Sequence, residues 1–301
     1  MQRVPYATWK NCIRLSNPEM ELLITADVGP RVIRCGFIDG PNEFWECKPQ
    51  LGKTGGPEWR IYGGHRLWHA PEHMPRSYAP DNEPVQIETL PDGAVRFTPA
   101  VEPDTKIAKS LELRLDPRAN RVTATHRLRN EGLWPIELAP WALSVMAPGG
   151  TCILPLPPRG PHPDFLLPAS TLTLWKYTDL ADPRYTFGTK YVLLRQDPER
   201  AAPQKIGAYN PAGWIAYANH GNLFVKRFEF VEGAAYPDLG ANVEAFACDA
   251  MLEVETLGPL VKLEHGQTVE YVERWELHRG VDTPKNDAEV DARVLPRLQG
   301  V

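Results

Sequence analysis

Apolar and polar residues alternate with a period of two over most of the chain. Within 111–115, leucines alternate with charged residues, and the same alternation resumes over 122–129 after a turn at Asp116-Pro117. This pattern predicts an antiparallel hairpin with one buried and one exposed face. His126 falls on the buried face, so we expect a core histidine whose ring nitrogens are hydrogen-bonded.

Many similar short strands are predicted, and turns rich in glycine, proline, asparagine and aspartate separate them. They span 20–26, 31–38, 84–90, 94–98, 141–147, 190–195, 204–209, 213–218, 222–230, 243–247, 250–256, 259–264 and 268–278. With 31 prolines and 23 glycines there is little room for long helices. We expect an all-β sandwich or barrel, with one domain over 1–280 and a tail over 281–301 that forms one short helix.

Charge and cysteine content exclude several classes of protein. The 301 residues carry a net charge of −5 with both signs intermixed, which argues against a nucleic-acid or membrane partner. Five scattered cysteines without a CxxC motif are typical of reduced thiols, and no apolar run reaches transmembrane length. We therefore expect a cytoplasmic monomer or homodimer. GxSxG, P-loop and GxGxxG motifs are absent from the sequence, which weakens esterase, NTPase and dinucleotide-binding interpretations.

The stretch 62–73, YGGHRLWHAPEH, carries the densest chemistry. His65, Arg66 and His69 offer donors, acceptors and protons beside the flat indole of Trp68. Such a mixture suits a polyhydroxylated ligand, because hydroxyl groups need polar partners and sugar rings stack on aromatic faces. The alternative is an exposed loop with hydrated side chains.

A metal site is an alternative interpretation of this stretch. His65, His69 and His73 recur every four residues, but Pro71 opposes a helix that would bring them onto one face. Two histidines and Glu72 would still suffice for zinc. We nevertheless predict neither a metal nor a cofactor.

A second polar segment spans 236–259. Glu253 and Glu255 are two residues apart on a predicted strand and therefore share one face. Asp238, Asn242 and Glu244 lie just upstream, so all five are candidate ligand-binding residues. The alternative is an exposed, hydrated strand face.

Glu273 differs from these carboxylates because it is in phase with the apolar positions of its strand. In VEYVERWEL it occupies the same face as Val269, Tyr271, Trp275 and Leu277, which lie at every second position. A buried carboxylate requires a partner, so we expect a structural ion pair with arginine or lysine.

These segments resemble a bacterial branch of the aldose 1-epimerase (galactose mutarotase-like) superfamily over about residues 12–278. LLITADVGPRVIRCGFIDGPNEFWE resembles its first strands, YGGHRLWHAPE its arginine block, and LEVETLGPLVKLEHGQTVEYVERWEL its closing block. The matching residues are Arg66, which in the family reaches the sugar, and Glu255, which acts there as the base. The resemblance implies a β-supersandwich of two large antiparallel sheets with few short helices, whose concave face holds a monosaccharide.

The sequence departs from the family at two histidines. The first aligns near Ser77 or Tyr78 and the second near Ser144. His65 or His69 can replace the missing acid only if the local strand is bulged, because regular alternation puts them opposite Arg66.

The leading hypothesis is therefore a mutarotase that needs no cofactor. Glu255 would be the base and His69 or His65 the acid, while Arg66 holds a hydroxyl and Trp68 or Trp141 stacks on the sugar. Trp175 and Trp214 are further candidate platforms, and the basic residues Arg66, Arg76 and Lys205 favour a sugar acid. A non-catalytic carbohydrate-binding protein and a glycoside hydrolase or lyase on the same fold are the alternatives. All three require Arg66 and Glu255 to face the same hollow.

Overall fold

The first of two large antiparallel sheets contains eleven strands. The computed structural model describes residues 1–299. The strands of this sheet are β1 (Gln2–Tyr6), β2 (Trp9–Ser16), β3 (Met20–Ile24), β4 (Val32–Phe37), β5 (His65–Ala70), β10 (Ile136–Met146), β12 (Leu172–Leu174), β15 (Gln204–Ala208), β18 (Val243–Ala247), β19 (Leu252–Leu257) and β20 (Val261–Leu263). Their order is β1-β2-β3-β4-β5-β10-β19-β18-β15-β12, and β20 pairs with β10.

The second sheet contains ten strands. They are β6 (Gln86–Thr89), β7 (Val95–Thr98), β8 (Ile107–Leu115), β9 (Arg121–Asn130), β11 (Thr151–Pro155), β13 (Tyr185–Phe187), β14 (Tyr191–Arg195), β16 (Trp214–Asn219), β17 (Asn222–Phe228) and β21 (Thr268–Arg279). Their order is β13-β14-β11-β16-β17-β21-β9-β8-β7-β6. The hairpin predicted from 111–129 is confirmed as β8 and β9.

The main core lies between the two sheets. It combines residues such as Ala142 and Val254 of the first sheet with residues such as Phe224 and Trp275 of the second. Because side chains alternate along a strand, each sheet has an opposite face that points away from this core. The predicted all-β supersandwich is confirmed.

Helical structure is sparse and short. Single 3₁₀ turns lie at Lys48–Gln50 and Arg76–Tyr78, and α1 (Pro237–Gly240) is one turn. The tail forms two helices, α2 (Asp287–Arg293) and α3 (Leu295–Leu298), where the sequence indicated one; its last two residues lie outside the described part. Within residues 1–299 no helix has both the length and the apolar character needed to span a membrane.

The tail packs on the outer face of the second sheet. Val290 and Val294 of the helices are fully buried against residues such as Trp214 and Leu223. Burial of an apolar side chain contributes about 1.5–3 kcal/mol, so this contact explains why the tail is ordered. Trp214 is thereby part of a core, and its interpretation as a sugar platform is wrong.

Two expectations about buried polar residues are confirmed. Glu273 is fully buried and pairs with Lys226, whose Nζ lies 2.7 Å from Oε1. His126 is also fully buried, with Nδ1 3.1 Å from the carbonyl oxygen of Tyr271 and Nε2 2.8 Å from Nε2 of His65. Both groups lie between the sheets, where an unpaired polar group would be costly.

Candidate functional site

The candidate site lies on the outer face of the first sheet, where five adjacent strands present polar and aromatic side chains. Strand register places Arg66 opposite Leu143, Leu143 opposite Glu255, and Glu255 opposite Glu244. The side chains of directly opposed residues lie on the same face of a sheet. Arg66 and Glu255, 189 positions apart in sequence, therefore share a face of the sheet, although only Arg66 reaches the hollow that the sequence hypothesis required both to face.

A cavity of about 470 Å³ opens on this face. We call it the outer cavity. It is lined by Trp59, Ile61, Arg66, Trp68, Glu72, Tyr78, Trp141, Leu143, Trp175, Tyr177, Pro203, Lys205, Phe246 and Glu253. Its size is within the range of small-molecule sites, and half of its lining residues are aromatic.

Arg66 is held at one side of the outer cavity by a carboxylate and two indoles. Its Nη2 donates to Oε1 of Glu253 at 3.0 Å, and its guanidinium carbon lies 4.4 Å from the Trp68 ring centroid and 5.8 Å from that of Trp59. Nε and Nη1 have no hydrogen-bond partner within the protein. Both atoms are also inaccessible to solvent, so a ligand would reach them only after neighbouring side chains move.

Lys205 is held on the other side by two carboxylates and two indoles. Its Nζ lies 2.7 Å from Oε2 of Glu244 and 3.0 Å from Oε2 of Glu255, and 4.8 and 4.7 Å from the ring centroids of Trp141 and Trp175. Burial alone would lower the pKa of Lys205, but the two ion pairs overcome burial and raise this pKa well above its usual value. Lys205 is therefore a fixed positive charge.

Glu255 lies beneath this layer and does not line the outer cavity. Its side chain is fully buried, and Oε2 accepts from Trp141 Nε1 at 2.8 Å in addition to Lys205. Oε1 has no hydrogen-bond partner in the protein. Glu253 is the carboxylate of this strand that reaches the cavity wall, and burial raises its pKa against the opposing effect of Arg66.

The charges of the outer cavity do not favour an acidic ligand. Arg66 and Lys205 are both already paired, and the carboxylates Glu253 and Glu72 line the wall as well. Arg76 does not line the cavity. An added anion would meet no unpaired cation among these lining residues, so the expectation of a sugar acid is not supported.

His65 and His69 lie on the opposite face of β5, and the expectation that either supplies the acid at this site is wrong. The strand pairs with β10 without a bulge from His65 to Ala70. Both rings are fully buried, with His65 Nδ1 2.9 Å from Ser144 Oγ and His69 Nε2 3.5 Å from Glu102 Oε2. Regular alternation thus places them away from Arg66.

Asn242 and Asp238 also lie outside the lining, contrary to their predicted binding role. The fully buried side chain of Asn242 accepts from the backbone N–H of Asn210 at 2.7 Å and donates to its carbonyl oxygen at 2.9 Å, which makes it a structural clamp. Asp238 lies in the turn α1 with φ of 49° and is half-buried. Glu244 is on the correct face but is fully buried under Lys205.

The two positions that align with family histidines face different parts of the structure. Tyr78 lines the outer cavity and its hydroxyl donates to Glu72. Ser144 faces the core, and the cavity-facing neighbour in β10 is the apolar Leu143. The described cavity lining contains no histidine.

Several lining residues were not predicted to bind a ligand: Trp59, Ile61, Tyr78, Leu143, Tyr177, Pro203 and Phe246. Most lie in loops or at apolar strand positions, where sequence offers no signal. Lys205 could have been recognised more firmly, because it is a charged residue within the buried strand QKIGA.

The pair between Glu102 and Lys109, next to His69, leads to a prediction for acid stability. Burial would raise the pKa of Glu102, but Lys109 and hydrogen bonds from His69 and Thr105 lower it from 4.5 to about 2. A depressed folded-state pKa stabilises the protein above pH 4.5, and this stabilisation is lost as the pH falls towards 2.

We therefore expect the difference in unfolding free energy between the wild type and Glu102→Gln to shrink as the pH is lowered from about 6 to about 3. Denaturant unfolding at several pH values measures this difference. A difference that stays constant over that range would show that the carboxylate of Glu102 is not held ionised by its neighbours.

Comparison with known proteins gives similarity of fold only. No protein-family model matches the chain, and no curated protein matches its sequence. Solved structures do match. A galactose mutarotase-like protein from Lactobacillus casei ATCC 334 has a TM-score of 0.56 at 10% identity, over 89% of this chain and 100% of that one. A galactose mutarotase related enzyme from Lactobacillus acidophilus has a TM-score of 0.56 at 9% identity, over 91% and 99%.

The same fold also occurs within a longer protein. A TPR-domain containing protein from Parabacteroides distasonis ATCC 8503 has a TM-score of 0.57 at 15% identity, over 89% of this chain but 47% of that one. At such identities a shared fold does not carry a shared activity. The chain thus has the galactose mutarotase-like fold.

Proposed function

We propose that this chain, with its galactose mutarotase-like fold, binds a neutral monosaccharide in the outer cavity. One observation carries the proposal: half of the lining residues are aromatic, and both cations inside are already paired with carboxylates. A pyranose ring presents C–H groups that pack on aromatic faces and hydroxyl groups that hydrogen-bond to charged partners. It also adds no charge to the site.

The polar groups are arranged to bind hydroxyl groups. After a small movement of its neighbours, Arg66 would offer the unpartnered Nε and Nη1 as donors, and Glu253 at the wall offers acceptors. Each hydroxyl of a sugar ring can both donate and accept a hydrogen bond, so it can pair with either kind of group. Trp141 and Trp175 lie on either side of Lys205, so a ring bound here would contact an indole and the ammonium together.

A ligand panel tests this proposal. Neutral aldoses should raise the melting temperature, since a ligand that binds only the folded state stabilises it by about 2.7 kcal/mol at a hundred times its Kd. The matching uronic acids and sugar phosphates should bind at least tenfold more weakly. Tighter binding of the acids than of the neutral sugars would refute the assignment of ligand class.

Mutarotation is the second candidate, and the unpartnered Oε1 of Glu255 is the observation that favours it. Ring opening requires a base at the anomeric hydroxyl and a donor at the ring oxygen. Glu255 would be the base after a shift of Lys205, whose charged ammonium would hydrogen-bond to the ring oxygen while a water molecule protonates it. With no histidine in the described lining, the acid of this scheme differs from that of the sequence hypothesis.

Polarimetry on freshly dissolved sugars tests this second candidate. Glu255→Gln should slow the enzyme-dependent rate by about 10²–10⁴-fold while sugar binding persists. Glu137→Gln, at an exposed carboxylate of β10 outside the cavity lining, is the matched control and should leave the rate unchanged. Equal rates in the wild type and Glu255→Gln would remove Glu255 from the mechanism.

A further inference from the structure

We propose that His65, His126 and Glu273 form a binding site for a divalent transition-metal ion between the two sheets. All three side chains are fully buried. His65 comes from β5 of the first sheet, whereas His126 and Glu273 come from β9 and β21 of the second. A bound ion would cross-link the two layers directly behind Arg66. This inference does not depend on sugar binding.

The three ligand atoms have suitable separations. His65 Nε2 lies 2.8 Å from His126 Nε2, and Glu273 Oε2 lies 3.9 and 3.8 Å from these two nitrogens. These separations leave a point about 2.1 Å from all three atoms, which is the bond length of zinc to imidazole nitrogen and to carboxylate oxygen. This point lies in the plane of the three atoms with an angle of about 85° between the two nitrogens, so a tetrahedral ion would require the two imidazoles to separate by about 0.6 Å more.

The groups behind the ligands match those around known metal sites. His65 Nδ1 is 2.9 Å from Ser144 Oγ, and His126 Nδ1 is 3.1 Å from the carbonyl oxygen of Tyr271. Metal-binding histidines usually have such a partner on the second ring nitrogen, which fixes the ring orientation. Both Nε2 atoms consequently face each other and the carboxylate.

Glu273 divides its oxygens between two partners. Oε1 accepts from Lys226 Nζ at 2.7 Å and from Thr256, while Oε2 accepts from Trp275 Nε1 at 2.9 Å and faces the histidines. Oε2 retains a lone pair for an ion, and Lys226 approaches the opposite oxygen. Two imidazoles and one carboxylate favour zinc, copper, nickel or cobalt over calcium and magnesium, which prefer all-oxygen sites.

The competing occupant of this position is a proton. A hydrogen atom on one Nε2 would donate to the other and account for the 2.8 Å separation without an ion. Metal analysis distinguishes the two states, because only the metal-bound state contains an ion in stoichiometric amount. The amount of bound ion should also depend on Glu273, whereas a hydrogen bond between the two imidazoles does not require this carboxylate.

The experiment uses the full chain, expressed in medium supplemented with Co²⁺ because the site is enclosed in the core. After dialysis we expect about one Co²⁺ per chain in the wild type, with visible absorption typical of nitrogen and oxygen ligands. His126→Gln and Glu273→Gln should retain less than about a tenth of that amount. His69→Gln, which alters an equally buried histidine of β5, should bind like the wild type.

A partner of the ligands supplies a milder variant in case these substitutions impair folding. Ser144→Ala should weaken Co²⁺ binding by roughly 10–100-fold, as loss of an outer partner usually does, whereas Ser77→Ala should not. Wild-type protein that contains less than about a tenth of an ion per chain would overturn the proposal. Equal Co²⁺ content in the wild type and in folded His126→Gln would overturn it as well.

Discussion

Replacing Lys205 with methionine should lower the free energy of unfolding by about 3–5 kcal/mol at neutral pH. The substitution removes the ammonium that lies 2.7 Å from Glu244 and 3.0 Å from Glu255, both of which are fully buried. Two carboxylates would then face each other without a counter-charge in a site from which water is excluded. Denaturant unfolding measures the loss.

The same variant should become relatively more stable in acid. Burial already raises the pKa of Glu244 well above its usual value, and loss of Lys205 removes the opposing effect. A raised folded-state pKa destabilises the protein above that pKa, and the penalty disappears as the pH falls to the ordinary value of 4.5. The gap between Lys205→Met and the wild type should therefore narrow as the pH is lowered.

Lys190→Met is the matched control for the Lys205 substitution. Lys190 also pairs with a carboxylate, that of Asp291, but its side chain is 57% exposed and water solvates both partners. Its replacement should leave stability almost unchanged. A loss for Lys205→Met no larger than that for Lys190→Met, or a loss independent of pH, would contradict the buried charge network described here.

Replacing Trp175 with alanine should weaken sugar binding by about thirtyfold, corresponding to about 2 kcal/mol. Trp175 lines the outer cavity from the loop that follows β12, and its ring centroid lies 4.7 Å from Lys205 Nζ. The variant loses a stacking surface and the indole that contacts Lys205. Because Trp175 lies outside the strands, both sheets should remain intact. Calorimetric titration with the best-binding neutral sugar measures the change in Kd.

The control for Trp175→Ala is Trp134→Ala. Trp134 is 78% exposed in the turn between β9 and β10, and it does not line the outer cavity. Its removal should leave the Kd for the sugar unchanged. If both variants bind equally well, the indole of Trp175 does not contact the ligand.

Sequence alternation revealed strands such as β8 and β9 because one face of this hairpin packs on the core and the other is more exposed. The hairpin of β8 and β9 and strands such as β18, Val243–Ala247, lie where alternation placed them. The strands at 2–6, 9–16, 151–155, 172–174 and 185–187 were missed. In β11, Thr151–Pro155, every residue is buried, so the sequence shows no alternation to detect.

The site was only partly predictable for a related physical reason. Alternation within one strand correctly separated Arg66 from His65 and His69, and register then brought Glu255 onto the face of Arg66. How deeply a side chain on that face lies below the cavity surface depends on its neighbours from other strands, which alternation within one strand does not give. Only the structure reveals that Lys205 and Trp141 cover Glu255, whereas Glu253, two residues earlier, reaches the cavity.

A crystal structure of the chain with the neutral sugar that gives the largest thermal shift tests the central claim most directly. We expect the sugar ring in the outer cavity, packed on Trp141 or Trp175 and hydrogen-bonded to Arg66 and Glu253. A sugar bound at another surface, or an outer cavity without sugar at a concentration that saturates binding in solution, would contradict it.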